Sequence, residues 1–116
     1  MVFEFTTSDQ DGVAIIKLSG ELIDKTQAAP LLNEAENLLK NNSVKWAFDL
    51  EELKYMNSSG LNVLIQLLTR SRVSGGEAVL FNLNKKISEL LLITKLNTLF
   101  KITENKDEAL KLLGVA

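Results

Sequence analysis

Asn57-Ser58-Ser59-Gly60 is the segment of this chain whose residue types and position could do chemistry. Upstream, Trp46-Ala47-Phe48-Asp49-Leu50 reads as a short, mostly apolar strand. Downstream, Leu61, Leu64, Ile65 and Leu68 fall at i, i+3, i+4 and i+7, the spacing of one buried helical face. The two serines are therefore expected at a helix N-terminus. Unpaired backbone N–H groups and the positive end of the helix dipole favour an anion there, so a hydroxyl that acquired a phosphate would be held without remodelling the fold. The chemistry in view is the modification of a serine, not catalysis by one.

Absent residue types narrow the function further. The 116-residue chain has neither cysteine nor histidine. Thiol nucleophiles, imidazole bases, Ser-His-Asp triads and the usual zinc sites are thus excluded within one subunit. No spacing brings two acids together with a nucleophile, so no enzymatic activity is expected, and neither a cofactor nor a metal is implied. Met56 to Gly60 lacks the first glycine of a nucleophile elbow, and no glycine-rich phosphate loop follows the first strand. A net charge of −2 argues against nucleic acid, which needs a basic surface. No run of about 18 apolar residues predicts a membrane span, and the N-terminus lacks the basic start and apolar run of a signal peptide. A cytoplasmic protein with a protein partner is the expectation.

The elements that must position the serines follow from periodicity. With 46% hydrophobic and 24% charged residues, the chain has the make-up of one globular domain, expected to span residues 1–116. Val2 to Thr6 and Val13 to Leu18 are strand candidates. The turn Ser8-Asp9-Gln10-Asp11-Gly12 between them predicts an antiparallel hairpin. Ser19-Gly20-Glu21 is expected to break the second strand. A helix is predicted from about Asp24–Gln27 to Asn41, with Pro30 in its first turns. After the strand at Trp46 and a helix from Ser59 to about Val73, Gly75-Gly76 stops the helix and Ala78 to Phe81 gives another strand. Ile87 to Thr94 reads as a third helix, with Leu90 to Ile93 buried. Leu99 to Ile102 reads as an edge strand and Asp107 to Leu113 as a last helix. Strands joined by helices of this length run parallel, so the fold class is α/β: a mixed sheet with an N-terminal antiparallel hairpin, βαβ units and helices packed on the sheet.

At this point the chain resembles a known family over nearly its whole length. Ser19-Gly20-Glu21-Leu22 carries the resemblance first, then Phe48-Asp49-Leu50 running into Tyr55-Met56-Asn57-Ser58-Ser59-Gly60-Leu61. Gly75-Gly76-Glu77 follows, and the tail adds Leu99-Phe100-Lys101-Ile102 with Glu108-Ala109-Leu110. In order and spacing these segments are similar to a STAS domain, specifically a stand-alone bacterial anti-sigma factor antagonist.

The resemblance implies a switch operated by phosphorylation. Unmodified members bind an anti-sigma factor that is also a serine kinase, releasing a sigma factor; the kinase phosphorylates a serine of an Asp-Ser-Ser/Thr-Gly segment, and a serine phosphatase resets it. Carried over by position, the acceptor is Ser58 in preference to Ser59, expected as the cap or pre-helix residue with its hydroxyl outward. The partner surface is expected to comprise Asp24, Asn57, Ser58, Ser59, Gly60 and Asn62, with glycine at 60 letting a partner backbone come close. Two departures bear on this. Asn57 stands where phosphorylated members usually carry Asp, and Ile23 follows Leu22 where an acidic residue is common. The alternative is a STAS interaction module that is never phosphorylated, a signalling scaffold or a subunit of a lipid-transport complex.

Overall fold

The computed structural model describes residues 2–114. Strands β1 (Phe3–Gln10) and β2 (Val13–Leu22) form a hairpin. Helix α1 (Ala29–Lys40) leads to β3 (Lys45–Met56), and α2 (Ser58–Val73) leads to β4 (Glu77–Phe81). Helix α3 (Lys85–Ile93) and a 3-10 turn (Leu96–Thr98) precede the two-residue β5 (Lys101–Ile102), and α4 (Lys106–Leu112) follows. The strands lie in sequence order, β1-β2-β3-β4-β5. The β1–β2 pair is antiparallel and the other pairs are parallel, giving the expected mixed sheet. The hairpin turns on Asp11 and Gly12 alone, both at positive φ (54° and 88°), the conformation that matches the twist of the flanking strands.

Alternation in the central strands decides where the core sits. Ala14, Ile16 and Leu18 of β2 face the same way as Trp46, Phe48 and Leu50 of β3, and α1, α2 and α3 close over them. Val13, Ala47, Val79 and Phe81 point to the other face, covered by Ala109, Leu110 and Leu113. Trp46 is fully buried and donates its indole N–H to the Ser43 carbonyl at 2.9 Å. That second face is only half covered. Beyond α4, a hollow of about 700 Å³ is lined by Glu4, Thr6, Lys17 and Ser19 together with Val2 and Phe5.

Two strands run further than periodicity indicates. Ser19-Gly20-Glu21 does not break β2. Gly20 sits at φ +89°, where a Cβ would meet the Val2 carbonyl oxygen at 1.8 Å, and Glu21 N–H donates to that same carbonyl. The strand thus bends past the hairpin and continues to Leu22. Strand β3 continues from Leu50 to Met56 because it carries two extra residues relative to β2: Lys17 pairs with Asp49 but Ser19 with Glu52, and Gly20 pairs with Leu53 but Glu21 with Tyr55. Each bulge places two consecutive residues in solvent, Glu51-Glu52 and Lys54-Tyr55, and so erases the two-residue period.

Helix bounds and exposure differ in smaller ways. Helix α1 begins at Ala29, because Asp24 and Gln27 close a separate turn before it. Leu90 to Ile93 is not buried throughout: Leu91 is, but Leu92 and Ile93 are 63% and 77% exposed, since α3 meets the core along a single face. Arg70 and Arg72, in the last turn of α2, form ion pairs with Glu36 and Glu77. Behind α2, the buried Ser71 hydroxyl donates to the Val44 carbonyl at 2.5 Å. A Cβ at Gly76 would lie 1.9 Å from that same oxygen. Gly76→Ala is therefore expected to cost about 1–3 kcal/mol in urea denaturation, the usual cost of overpacking against backbone. Gly12→Asn, with nothing nearby and only the positive φ of +88° to oppose a side chain, should cost less than Gly76→Ala, about 1 kcal/mol or below.

Candidate functional site

Helix α2 starts at Ser58 because Asn57 ends β3 in an extended conformation (φ −104°, ψ −170°) and caps the helix. Its Oδ1 accepts the Gly60 N–H at 3.0 Å, and its Nδ2 donates to the Ile23 carbonyl at 2.9 Å. One neighbour is a fixed donor and the other a fixed acceptor, so both ends of the amide are committed and its orientation is determined. Asn57, not Ser58, is the cap. Ser58 is the first helical residue and Ser59 the second; both are exposed, as is Asn62 one turn later. Among the described residues, none of these three side chains takes part in a hydrogen bond within the chain.

Gly60 has an internal role in place of the partner-facing one expected of it. It is buried, and a Cβ there would meet the Leu22 carbonyl oxygen at 2.2 Å and the Met56 side chain at 2.7 Å. Glycine lets α2 approach the end of β2; it makes no room for an incoming chain. Asp24 is brought close through Ile23, whose carbonyl Asn57 holds. The Asp24 carboxylate accepts the Gln27 N–H at 2.8 Å, while Gln27 Oε1 accepts the Ile23 N–H at 3.0 Å. This reciprocal pair fixes an exposed turn beside the helix start. Of the six residues expected at the site, Asp24, Asn57, Ser58, Ser59 and Asn62 are thus gathered around the α2 N-terminus at the surface, with Gly60 beneath them.

Sequence reasoning missed the other wall. Ser58 stands on the rim of a cleft of about 420 Å³ between the end of β3 and α3. Tyr55, Met56, Lys86, Leu90 and Ile93 line it, and Tyr55 is 47% exposed. The available signals were Tyr55 directly after the polar-rich run Glu51 to Lys54 and the consecutive apolar residues Leu90 to Ile93, more than one packed face of a helix uses. The first turn of α2 carries no acidic residue, whereas α4 has Asp107 and Glu108 there, so the positive end of the α2 dipole is not offset by its own sequence. No group of three acidic residues placed to hold a metal ion occurs among the described residues. No described helix is long and apolar enough to cross a membrane.

The fold and this site define a class. Residues 4–109 match the STAS domain model, and the chain belongs to the STAS domain family. Among curated relatives, the chain is similar to the anti-sigma F factor antagonist of Paenibacillus polymyxa, 30% identical over 104 residues that cover 90% of this chain and 89% of the relative. Among solved structures, it is similar to a Thermotoga maritima protein assigned as an anti-sigma factor antagonist. That match has a TM-score of 0.83 and 25% identity, covering 95% of this chain and 94% of the other. The fold is also that of the phosphorylated form of SpoIIAA, the Bacillus cell fate determinant, with a TM-score of 0.71 and 16% identity over 93% of this chain and 97% of that one.

The two bonds of the Asn57 amide separate cleanly by substitution. Asn57→Ala removes both and is expected to cost about 1–2 kcal/mol, within the range for lost caps. Asn57→Asp keeps the acceptor for Gly60 but sets a carboxylate against the Ile23 carbonyl. By amide hydrogen exchange, Gly60 should stay protected in Asn57→Asp and lose protection in Asn57→Ala. The amides of Ile23 and Gln27 should exchange faster than in the parent in both variants.

Proposed function

We propose that this chain is an anti-sigma factor antagonist that binds an anti-sigma factor with serine kinase activity, and that phosphorylation of Ser58 ends the complex. The observation that carries the reading is the placement of Ser58. It is an exposed hydroxyl at the first position of α2, on the rim of an apolar cleft, in a STAS chain whose relatives include anti-sigma factor antagonists. A phosphate there adds about −1.5 to −2 charges and a bulky hydrated group. In a packed interface that group opposes association by steric exclusion and by the cost of desolvating it. Within the subunit it meets the uncompensated end of a helix dipole. Binding changes while the fold does not. A serine phosphatase would restore the binding form.

A second reading, the constitutive module on the same fold, draws on Asn57. Its amide spans two backbone partners, one of which needs a donor that an aspartate lacks. This chain has gained a bond between α2 and the turn at Asp24, and it has lost the charge that phosphorylated members of the family usually carry beside the acceptor serine.

Both readings meet in one experiment with the anti-sigma factors of the source organism. Incubation with the kinase and ATP, followed by peptide fragmentation, should find phosphate on Ser58; phosphate on Ser59 or on distant Ser88 would sink the assignment. Ser58→Asp should bind the partner far more weakly than the parent. Its thermal midpoint should be unchanged or slightly raised, since an anion at a helix N-terminus contributes about 0.3–1 kcal/mol. A parent that binds but is not phosphorylated, beside an Asn57→Asp variant that is, identifies the constitutive module.

A further inference from the structure

The cleft beside Ser58 has a composition that says what would fill it. Its floor is Met56 and Ile87, both buried. Its walls are Tyr55, Leu90 and Ile93, and Ile93 is 77% exposed. The apolar area therefore lies at the mouth, where a covering surface reaches it, and not in an enclosed chamber of the kind that surrounds small ligands. Leu92 stands equally bare next to Ile93, at 63% exposure. Adjacent exposed leucine, isoleucine and tyrosine side chains on a small domain mark an interaction surface.

Charge selects the occupant further. Two charged residues line the cleft, Lys86 and Glu89. Glu89 lies 4.0 Å from Lys85 on the same helix, whereas Lys86 forms no ion pair among the described residues. The chain as a whole carries −2 and Glu89 stands in the cleft, so an acidic partner meets general repulsion and a local attraction confined to Lys86. That asymmetry gives orientation more than strength.

We infer that this cleft seats a segment of the anti-sigma partner in which an apolar side chain stands next to a carboxylate, the apolar chain between Tyr55, Leu90 and Ile93 and the carboxylate on Lys86. The inference rests on the proposed function and extends its interface from the start of α2 onto α3. It also gives the phosphate a specific action. A dianion on Ser58 stands on the same rim as Lys86, neutralises that cation and repels the carboxylate that would use it.

The test measures affinity for whichever anti-sigma factor of the source organism binds the parent, at low and moderate salt. The proteins compared are the parent, Ser58→Asp, Tyr55→Ser, Ile93→Ser, Lys86→Gln, and Lys17→Gln on the opposite sheet face as a control. Tyr55→Ser and Ile93→Ser should each bind roughly tenfold more weakly, as expected for central apolar anchors. Lys86→Gln should bind more weakly at low salt and show a flatter salt dependence, and Lys17→Gln should match the parent. Methyl resonances of Leu90 and Ile93 in the unmutated protein should shift when the partner is added, an observation that needs no variant to fold. If the apolar variants bind within about twofold of the parent while Ser58→Asp does not, the cleft is overturned and the antagonist reading stands. An unaltered salt dependence in Lys86→Gln overturns the carboxylate. A parent that binds none of these anti-sigma factors overturns both.

Discussion

The site depends on how closely the first turn of α2 approaches the end of β2. The Leu22 carbonyl accepts the Asn57 N–H at 3.4 Å, and the same oxygen lies where a side chain at position 60 would begin. Glycine at 60 is the condition for that contact. Once the helix is seated, the Asn57 amide reaches the Ile23 carbonyl, and the turn closed by Asp24 and Gln27 is drawn to the helix start. The two bulges of β3 deliver Met56 and Asn57 to this point in register with Leu22. Ser58 is left at the surface because the contacts that seat the helix are made by Asn57 and Gly60 on either side of the two serines.

The same device recurs one unit later. Asn84 caps α3 by accepting the Ile87 N–H at 2.9 Å and donates to the Leu53 carbonyl at 2.6 Å. In both places an asparagine at a strand-to-helix turn joins the helix start to a carbonyl of the neighbouring upstream segment. A carboxylate can supply the cap but not the donor. Asn57 thus fits the architecture of this chain by itself, independent of any role in recognition.

Much of this was legible in the residues. The order of elements, the hairpin, the parallel units and the helix start at the serines all follow from period and turn chemistry, because local preference and burial agree there. Legibility failed where one residue's backbone conformation overrode the pattern. Gly20 looked like a stop and is a bend, and the bulges in β3 placed charged residues consecutively and hid the strand beneath them. Asn57 and Ser58 are both good capping residues, and only the position of Gly60 against Leu22 decides between them. Lys86, Leu90 and Ile93 share one face of α3 at i, i+4 and i+7, but Tyr55 belongs to β3 and becomes their neighbour only when α3 is laid beside the end of β3.

The bonds that hold the α2 N-terminus run from backbone to backbone or through Asn57, and the side chains of Ser58, Ser59 and Asn62 contribute none of them among the described residues. Under the proposed function, folding and recognition therefore draw on separate sets of atoms within one turn of helix. A duplicated copy of such a domain could change those three side chains without weakening its fold, and so acquire a new partner while the original kept its own. Insulation of this kind lets one small scaffold be reused in parallel circuits of a single cell with little crosstalk between them.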